Sequence, residues 1–276
     1  MKRIQQALLA SGLAVLSLGG AALQAAPFTY NAQDLVIGFR SSGPTDYVVD
    51  IGNASQFGFG SGVHNITAYT GSQLSSVFGS LDGITFSAFG DVRTTGGATP
   101  FNTLWVTQAR SDINVQSDPW NRRGTSAQGT AAGKIDGIAS GAVSYSDSIP
   151  PGPNNTASAV AISDSFSGSY SSTMGPSGTF LGTFPGNVEN TTPAGFASLG
   201  SPIRSDLYEL QPGSGQGSYM GYFQLNPDGS MLFSAVPEPS SAALMAAGFG
   251  LLALVQRQRR NAPHQRIRDS LPRLLQ

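Results

Sequence analysis

Residues 241–255 form an uncharged run of Ala, Leu, Gly and other apolar or small side chains. Pro237 and Pro239 stand before the run, and Arg257, Arg259 and Arg260 follow it. This arrangement constrains the chain more than any other feature. A proline disfavours helix at the residue before it, so the backbone from Val236 to Glu238 is predicted to be extended, the form in which proteases and transpeptidases bind a chain. As a helix the run measures about 22 Å, against roughly 30 Å of bilayer hydrocarbon. Such a span is short and weakly held. The arginines, read with the positive-inside rule, keep the far side cytoplasmic and leave everything ahead of the run outside. An N-terminal counterpart begins with Lys2 and Arg3, continues through an apolar stretch to Leu23 and ends in Ala25 and Ala26. That is the order of a secretory signal peptide, with cleavage expected after Ala25. The expected organisation is therefore a signal peptide at 1–25, an extracytoplasmic domain at 26–235, a sorting segment at 236–260 with its transmembrane helix at 241–255, and a basic tail at 261–276.

Charge is divided between these parts. The formal net charge is -1, yet between residues 26 and 236 there are seven basic and fourteen acidic residues. An acidic domain argues against nonspecific nucleic-acid binding, which depends on neutralising phosphates. The absence of cysteine removes disulfides, thiolate metal sites and cysteine nucleophiles.

Within the domain, short β-branched and aromatic runs alternate with turn residues. Residues 34–40 and 47–51 read as two strands joined by the turn at 41–44. In residues 70–78, Leu74, Val77 and Phe78 fall at helical spacing, with Ser72 as a candidate N-cap and Gly79 as the stop. Residues 84–89 and 101–109 read as strands, the second carrying Trp105 into the core. From 111 to 178 apolar residues are sparse, and the prolines at 150, 151 and 153 form a break that no helix or central strand crosses. Inside that stretch Ile135 and Ile138 suggest a short helix, and 142–145 and 159–162 suggest edge strands. Strand character returns at 179–184 and 205–210. The clearest hairpin joins 219–225 to 230–235 through Asn226-Pro227-Asp228-Gly229, where proline presets one turn position and glycine supplies positive φ. The pattern predicts a mainly β chain, an antiparallel β-sandwich of jelly-roll type with one short helix.

Catalytic groups are scarce. His64 and His264 are the two histidines, so a Ser-His-Asp arrangement in the domain rests on His64 alone and a histidine-rich zinc site cannot form. His64 sits in a loop-like stretch and reads as a surface residue. Asp46 and Asp50 share one strand face about 13 Å apart, too far for a retaining glycosidase pair. Asp112, Asp118, Asp136, Asp147 and Asp164 lie mainly beside Gly, Ser or Pro, where turn and capping duties account for them. No metal or cofactor is expected. Trp120, between Pro119 and Asn121, lies in a loop; core packing and glycan stacking are both open to it, which makes it the candidate glycan contact.

Pro237-Glu238-Pro239, the apolar run and the Arg257, Arg259, Arg260 cluster together resemble the PEP-CTERM sorting domain, also labelled ice-binding protein C-terminal domain. The resemblance covers about residues 236–260, with Val236 and Ser240 flanking the motif. It implies export from a Gram-negative bacterium through the Sec machinery and an inner-membrane precursor held by its C-terminal helix. It further implies processing by exosortase, a transpeptidase-like enzyme of strains that make exopolysaccharide, and a final location at the cell surface or outside. Family tails end near the arginines, whereas here sixteen residues follow Arg260. The expectation is a noncatalytic surface or matrix protein, with a carbohydrate-binding module as the alternative and a glycan-acting enzyme less favoured.

Overall fold

The structure, a computed structural model, describes residues 26–95, 97–175, 184, 187–236, 249, 251–252 and 254–257. The expected signal peptide, Pro237, Glu238, Pro239, Ser240, Arg259, Arg260, the tail and nearly all of the strand expected at 179–184 lie outside the described residues, as does most of the apolar run. Among the described residues no helix is long and apolar enough to cross a membrane. Phe249, Leu251, Leu252, Leu254 and Val255 are helical and exposed.

The described residues are mainly antiparallel β with few helices. In chain order they form β1 (Asp34–Arg40), β2 (Thr45–Asn53), β3 (Val63–Ile66), α1 (Gly71–Phe78), β4 (Thr85–Asp91), β5 (Leu104–Ala109), α2 (Thr125–Ser146), β6 (Ala159–Ser163), α3 (Tyr170–Met174), β7 (Asn190–Thr191), α4 (Phe196–Leu199), β8 (Ile203–Leu210), β9 (Ser218–Leu225) and β10 (Met231–Ala235). All ten strands join one sheet in the order β3-β10-β9-β8-β5-β4-β1-β2-β6, and β7 pairs with the part of β4 that β5 does not reach. The expected sandwich has two facing sheets; here a single hydrogen-bonded sheet curls so that its two faces enclose two separate apolar layers.

Strand periodicity explains how one sheet serves both layers, because successive side chains point to opposite faces. In β1, Leu35, Ile37 and Phe39 enter the first layer, with Tyr47, Phe86, Trp105, Phe223 and Phe233. Val36 enters the second, with Val48, Phe89, Val106 and the buried face of α2. Curling brings distant strands together. Phe57, in the 3-10 turn Ala54–Phe57 after β2, lies 5.2 Å ring to ring from Phe233 of β10 and 5.9 Å from Phe223 of β9. Each fully buried side chain of this size contributes about 1.5–3 kcal/mol from desolvation. At the edges are β3 and β6, four and five residues long, short enough to offer little template for foreign strands.

The helices depart most from expectation. α1 is present with Gly79 in the left-handed conformation as its stop, but its N-cap is Thr70, which forms a capping box with Gln73, rather than Ser72. The region expected to hold a short helix and an edge strand at 142–145 is instead the 22-residue α2. Ala131, Ala132, Ile135, Ile138, Ala139 and Ala142 are buried at 3.6-residue spacing against the second layer. At Gly141 a Cβ would lie 2.8 Å from both Cα and C of Gly168, so only glycine lets the helix approach that loop. The hairpin of β9 and β10 matches expectation: Gly229 donates to the Asn226 carbonyl at 2.9 Å with φ of 81°.

Candidate functional site

Three aspartates gather at one end of the curled sheet because of strand phase. Asp34 lies two residues before Val36, Asp50 two after Val48 and Asp91 two after Phe89, all on the face that packs against α2. Register completes the grouping, since Val36 pairs with both Asp50 and Phe89. Tyr30, on the segment leading into β1, crosses this end and donates its hydroxyl to Asp91 Oδ1 at 3.4 Å.

Electrostatics here favour protonated carboxyls. Burial, and then the Asp136 charge, pushes Asp91 up to about 8, while Arg93 and the Tyr30 hydroxyl pull the other way. Asp136 itself is raised, chiefly by burial, and pairs with Arg93 at 3.2 Å. Asp91 Oδ2 is buried and no donor among the described residues reaches it. A carboxyl proton on Asp91 supplies that donor, with Asp136 as acceptor. Asp50 is pushed up to about 7, first by burial and further by the neighbouring Asp34 carboxylate, against the Gly52 amide that donates to it at 2.7 Å. Asp34 accepts from the Asn31 amide and side chain at 3.1 and 3.0 Å. These pairs suit hydrogen bonding to a neutral polar group better than holding a cation. Among the described residues, no group of three or more His, Cys, Asp or Glu is placed to hold a metal ion.

Asp34 and Asp50 also line a cleft of about 530 Å³ between the end of β2 and β3, which Gln56, His64 and Asn65 border from the other side. The loop expected around His64 is corrected: it lies in β3 opposite Phe233, half-buried, its ring 6.0 Å from that of Phe57. Its Nε2 is buried and meets no partner among the described residues. The cleft thus offers carboxyl, amide and imidazole groups in one wall-to-wall space.

Trp120 is elsewhere. It is 6% exposed, its Nε1 donates to the Thr107 carbonyl at 3.1 Å, and its ring meets Phe184 edge to face at 5.8 Å. These contacts fit the core-packing reading, and the residue also lines a small cavity with Gln108, Asp118, Asn121 and Arg123. Asp46 shares its strand face with Asp50 as expected, but it is spent on structure, accepting the Ser171 amide and hydroxyl at 2.6 and 2.5 Å where α3 begins. Asp112 makes the expected turn contact with the Asn114 amide at 2.8 Å. Asp136 does not, because it belongs to α2. Sequence reasoning passed over Asp34, Asp91 and Tyr30. A usable signal was present in the phase itself, since an aspartate two residues from a core aliphatic or phenylalanine on the same strand face is headed for burial.

At the C-terminal junction the sheet holds the chain to its last residue before the prolines. Ala235 N–H donates to the Gly62 carbonyl at 2.8 Å, Val236 N–H to the Met220 carbonyl at 3.1 Å, and Gly60 N–H to the Val236 carbonyl at 3.1 Å. No linker separates β10 from the motif. Arg257 is helical and exposed.

Comparison with known families finds the PEP-CTERM protein-sorting motif at residues 235–260. The match marks an exported protein of the exosortase-sorted kind. No curated protein and no solved structure matches the chain.

Proposed function

We propose that this chain, which carries a PEP-CTERM sorting motif at residues 235–260, is a noncatalytic surface or extracellular-matrix protein. Sec export delivers the β-domain across the inner membrane of a Gram-negative cell. The 241–255 segment holds the precursor there, and an exosortase-type enzyme cuts at Pro237-Glu238-Pro239 to pass the domain to the envelope or its exopolysaccharide. The single observation that carries this reading is the motif match at 235–260, joined directly to the final strand. The carboxylates support a noncatalytic role: Asp46 and Asp34 are bound to nearby protein donors, and Asp91 is buried beneath Tyr30. The test is cell fractionation with a tagged domain. Replacing Pro237, Glu238 and Pro239 by Ala is expected to leave an unprocessed membrane precursor, and exclusive recovery of the wild type from cytosol would overturn the reading.

A second reading, carbohydrate binding, draws on the 530 Å³ cleft rather than on Trp120, because its paired amide and carboxyl groups match vicinal hydroxyls. Glycan-array binding by the domain that is lost in Gln56→Ala with Asn65→Ala supports it. Binding that is absent, or indifferent to those changes, counts against it.

A further inference from the structure

Register places several features at one end of the curled sheet: the ends of β2, β4, β8 and β10, and the starts of β1, β3, β5 and β9. The chain departs for the sorting segment from this end. Large apolar side chains are exposed here as well. Phe59 is 50% exposed and Val63 67%, and Phe101, in the loop between β4 and β5, is 38% exposed. Phe59 and Val63 are tied to the exit itself, because Gly60, next to Phe59, donates to the Val236 carbonyl at 3.1 Å and Val63 pairs with Ser234. The turn that presents Phe59 is closed by the Ser61 hydroxyl donating to the Gly58 carbonyl at 2.7 Å. Arg93 stacks over Phe101 at 5.4 Å, which puts a guanidinium beside the ring.

Chain length then fixes what covers this end. Five Cα steps separate Val236 from Ser241, so the sheet end lies at most about 17 Å from the start of the apolar run. Crossing the headgroup layer consumes roughly 6 Å of that reach. A 15-residue run that is too short for the hydrocarbon draws the flanking residues further inward. We propose that this end of the domain rests on the outer surface of the inner membrane while the precursor is anchored, with Phe59 and Val63 entering the headgroup boundary beside the exit and Phe101 with Arg93 extending the contact. The occupant is a lipid surface, because aromatic and apolar tips with an adjacent guanidinium are the side chains that lodge at that depth. The proposal rests on the anchored-precursor reading above.

Because the chain has no cysteine, single labels report one position each. The full chain would be reconstituted into vesicles of phosphatidylethanolamine and phosphatidylglycerol, with an environment-sensitive fluorophore on F59C, L199C or L251C. Leu199 is 58% exposed but lies in α4 just before the start of β8, at the opposite end. Headgroup nitroxides are expected to quench the label at 59 several-fold more than the label at 199, with a blue shift at 59. Equal, weak quenching at 59 and 199 while 251 is lipid-quenched overturns the surface contact and leaves anchoring intact. A label at 59 that is shielded from aqueous quencher but untouched by lipid nitroxide also overturns it, in favour of a protein partner or a second copy. A label at 251 that remains in water overturns the anchored reading and this one with it.

Discussion

Asp91→Asn is the sharpest probe of the buried carboxyl pairs. Folded Asp91 keeps its proton up to about 8, whereas the unfolded chain releases it near the ordinary 3.8. Between those values the folded state binds more protons, so raising the pH favours unfolding. The stabilising contribution is complete below 3.8 and is lost as pH climbs through about 8. One such group gives a slope of about 1.4 kcal/mol per pH unit. Between about pH 5 and about pH 7, Asp91 alone therefore removes about 3 kcal/mol, a large part of a typical domain stability of about 5–15 kcal/mol. Solvent screening does little to reduce this, because the residue is 1% exposed. Asp50, with its rise to about 7, adds a slope of the same sign that ends sooner. Asp228, held low by the Ser230 hydroxyl and amide, acts in the opposite sense, but only as pH falls below the ordinary carboxylate range. Asparagine keeps the neutral, hydrogen-bonding shape of protonated Asp91 and cannot ionise. Urea unfolding of residues 26–236 across this range is expected to show falling stability in the wild type and a slope smaller by about one proton in Asp91→Asn. Identical slopes in the two proteins, or stability that rises with pH, would refute the assignment of the proton to Asp91.

Gly38 lies under the ring of Tyr170, where an added Cβ would come within 2.6 Å of Cε2 and 2.7 Å of Cγ. Tyr170 cannot yield easily, since it stacks on Phe89 at 5.8 Å and hydrogen-bonds Ser87 at 2.6 Å. Gly38→Ala should therefore cost about 1–3 kcal/mol in urea unfolding. An unchanged midpoint would show that the ring is free to move. Arg110→Ala leaves Asp206, fully buried, with the Ser117 amide and hydroxyl but without the guanidinium that binds it at 2.6 Å, a loss expected at about 3–5 kcal/mol. The double variant Arg110→Ala with Asp206→Ala should recover part of that loss; an additive double would remove the pair from the account.

The parts of the fold that were legible in the sequence are those in which local signals agree with tertiary demand. The hairpin around Gly229 and the helix ended by Gly79 were both readable, because a turn residue and an apolar period point the same way there. α2 was hidden for the opposite reason. Gly129, Gly133, Gly137 and Gly141 recur along it, and each weakens the intrinsic case for a helix. Packing against Val36, Phe89 and Val106 overrides that weakness, and at Gly141 it demands the missing side chain. Trp120 is a position at which the local sequence left two readings open. Its neighbours Pro119 and Asn121 do mark a loop, yet the loop folds its indole inward onto the Thr107 carbonyl, a partner thirteen positions away that no local pattern announces. The carboxyl pairs depend on which strands become neighbours, so the phase of each aspartate was readable while its partner was not.

Strand order also links the domain to its sorting segment. β10 is the last strand among the described residues, but it sits between β9 and β3 rather than at an edge. The sheet cannot be completed until residues 231–235 have arrived and paired with residues 63–66, about 170 positions earlier. On the proposed export route, that moment comes when the apolar segment is already entering the membrane, since five residues separate the end of β10 from Ser241. Completion of the fold and retention of the chain therefore happen at one place, where Gly60 N–H donates to the Val236 carbonyl and Val236 N–H donates to the Met220 carbonyl. Those bonds hold the residue that precedes Pro237 in a fixed position. On that route an enzyme that binds the motif meets a chain issuing from a completed sheet in which Val236 is held on both sides, and a chain whose sheet is incomplete presents Val236 without those bonds.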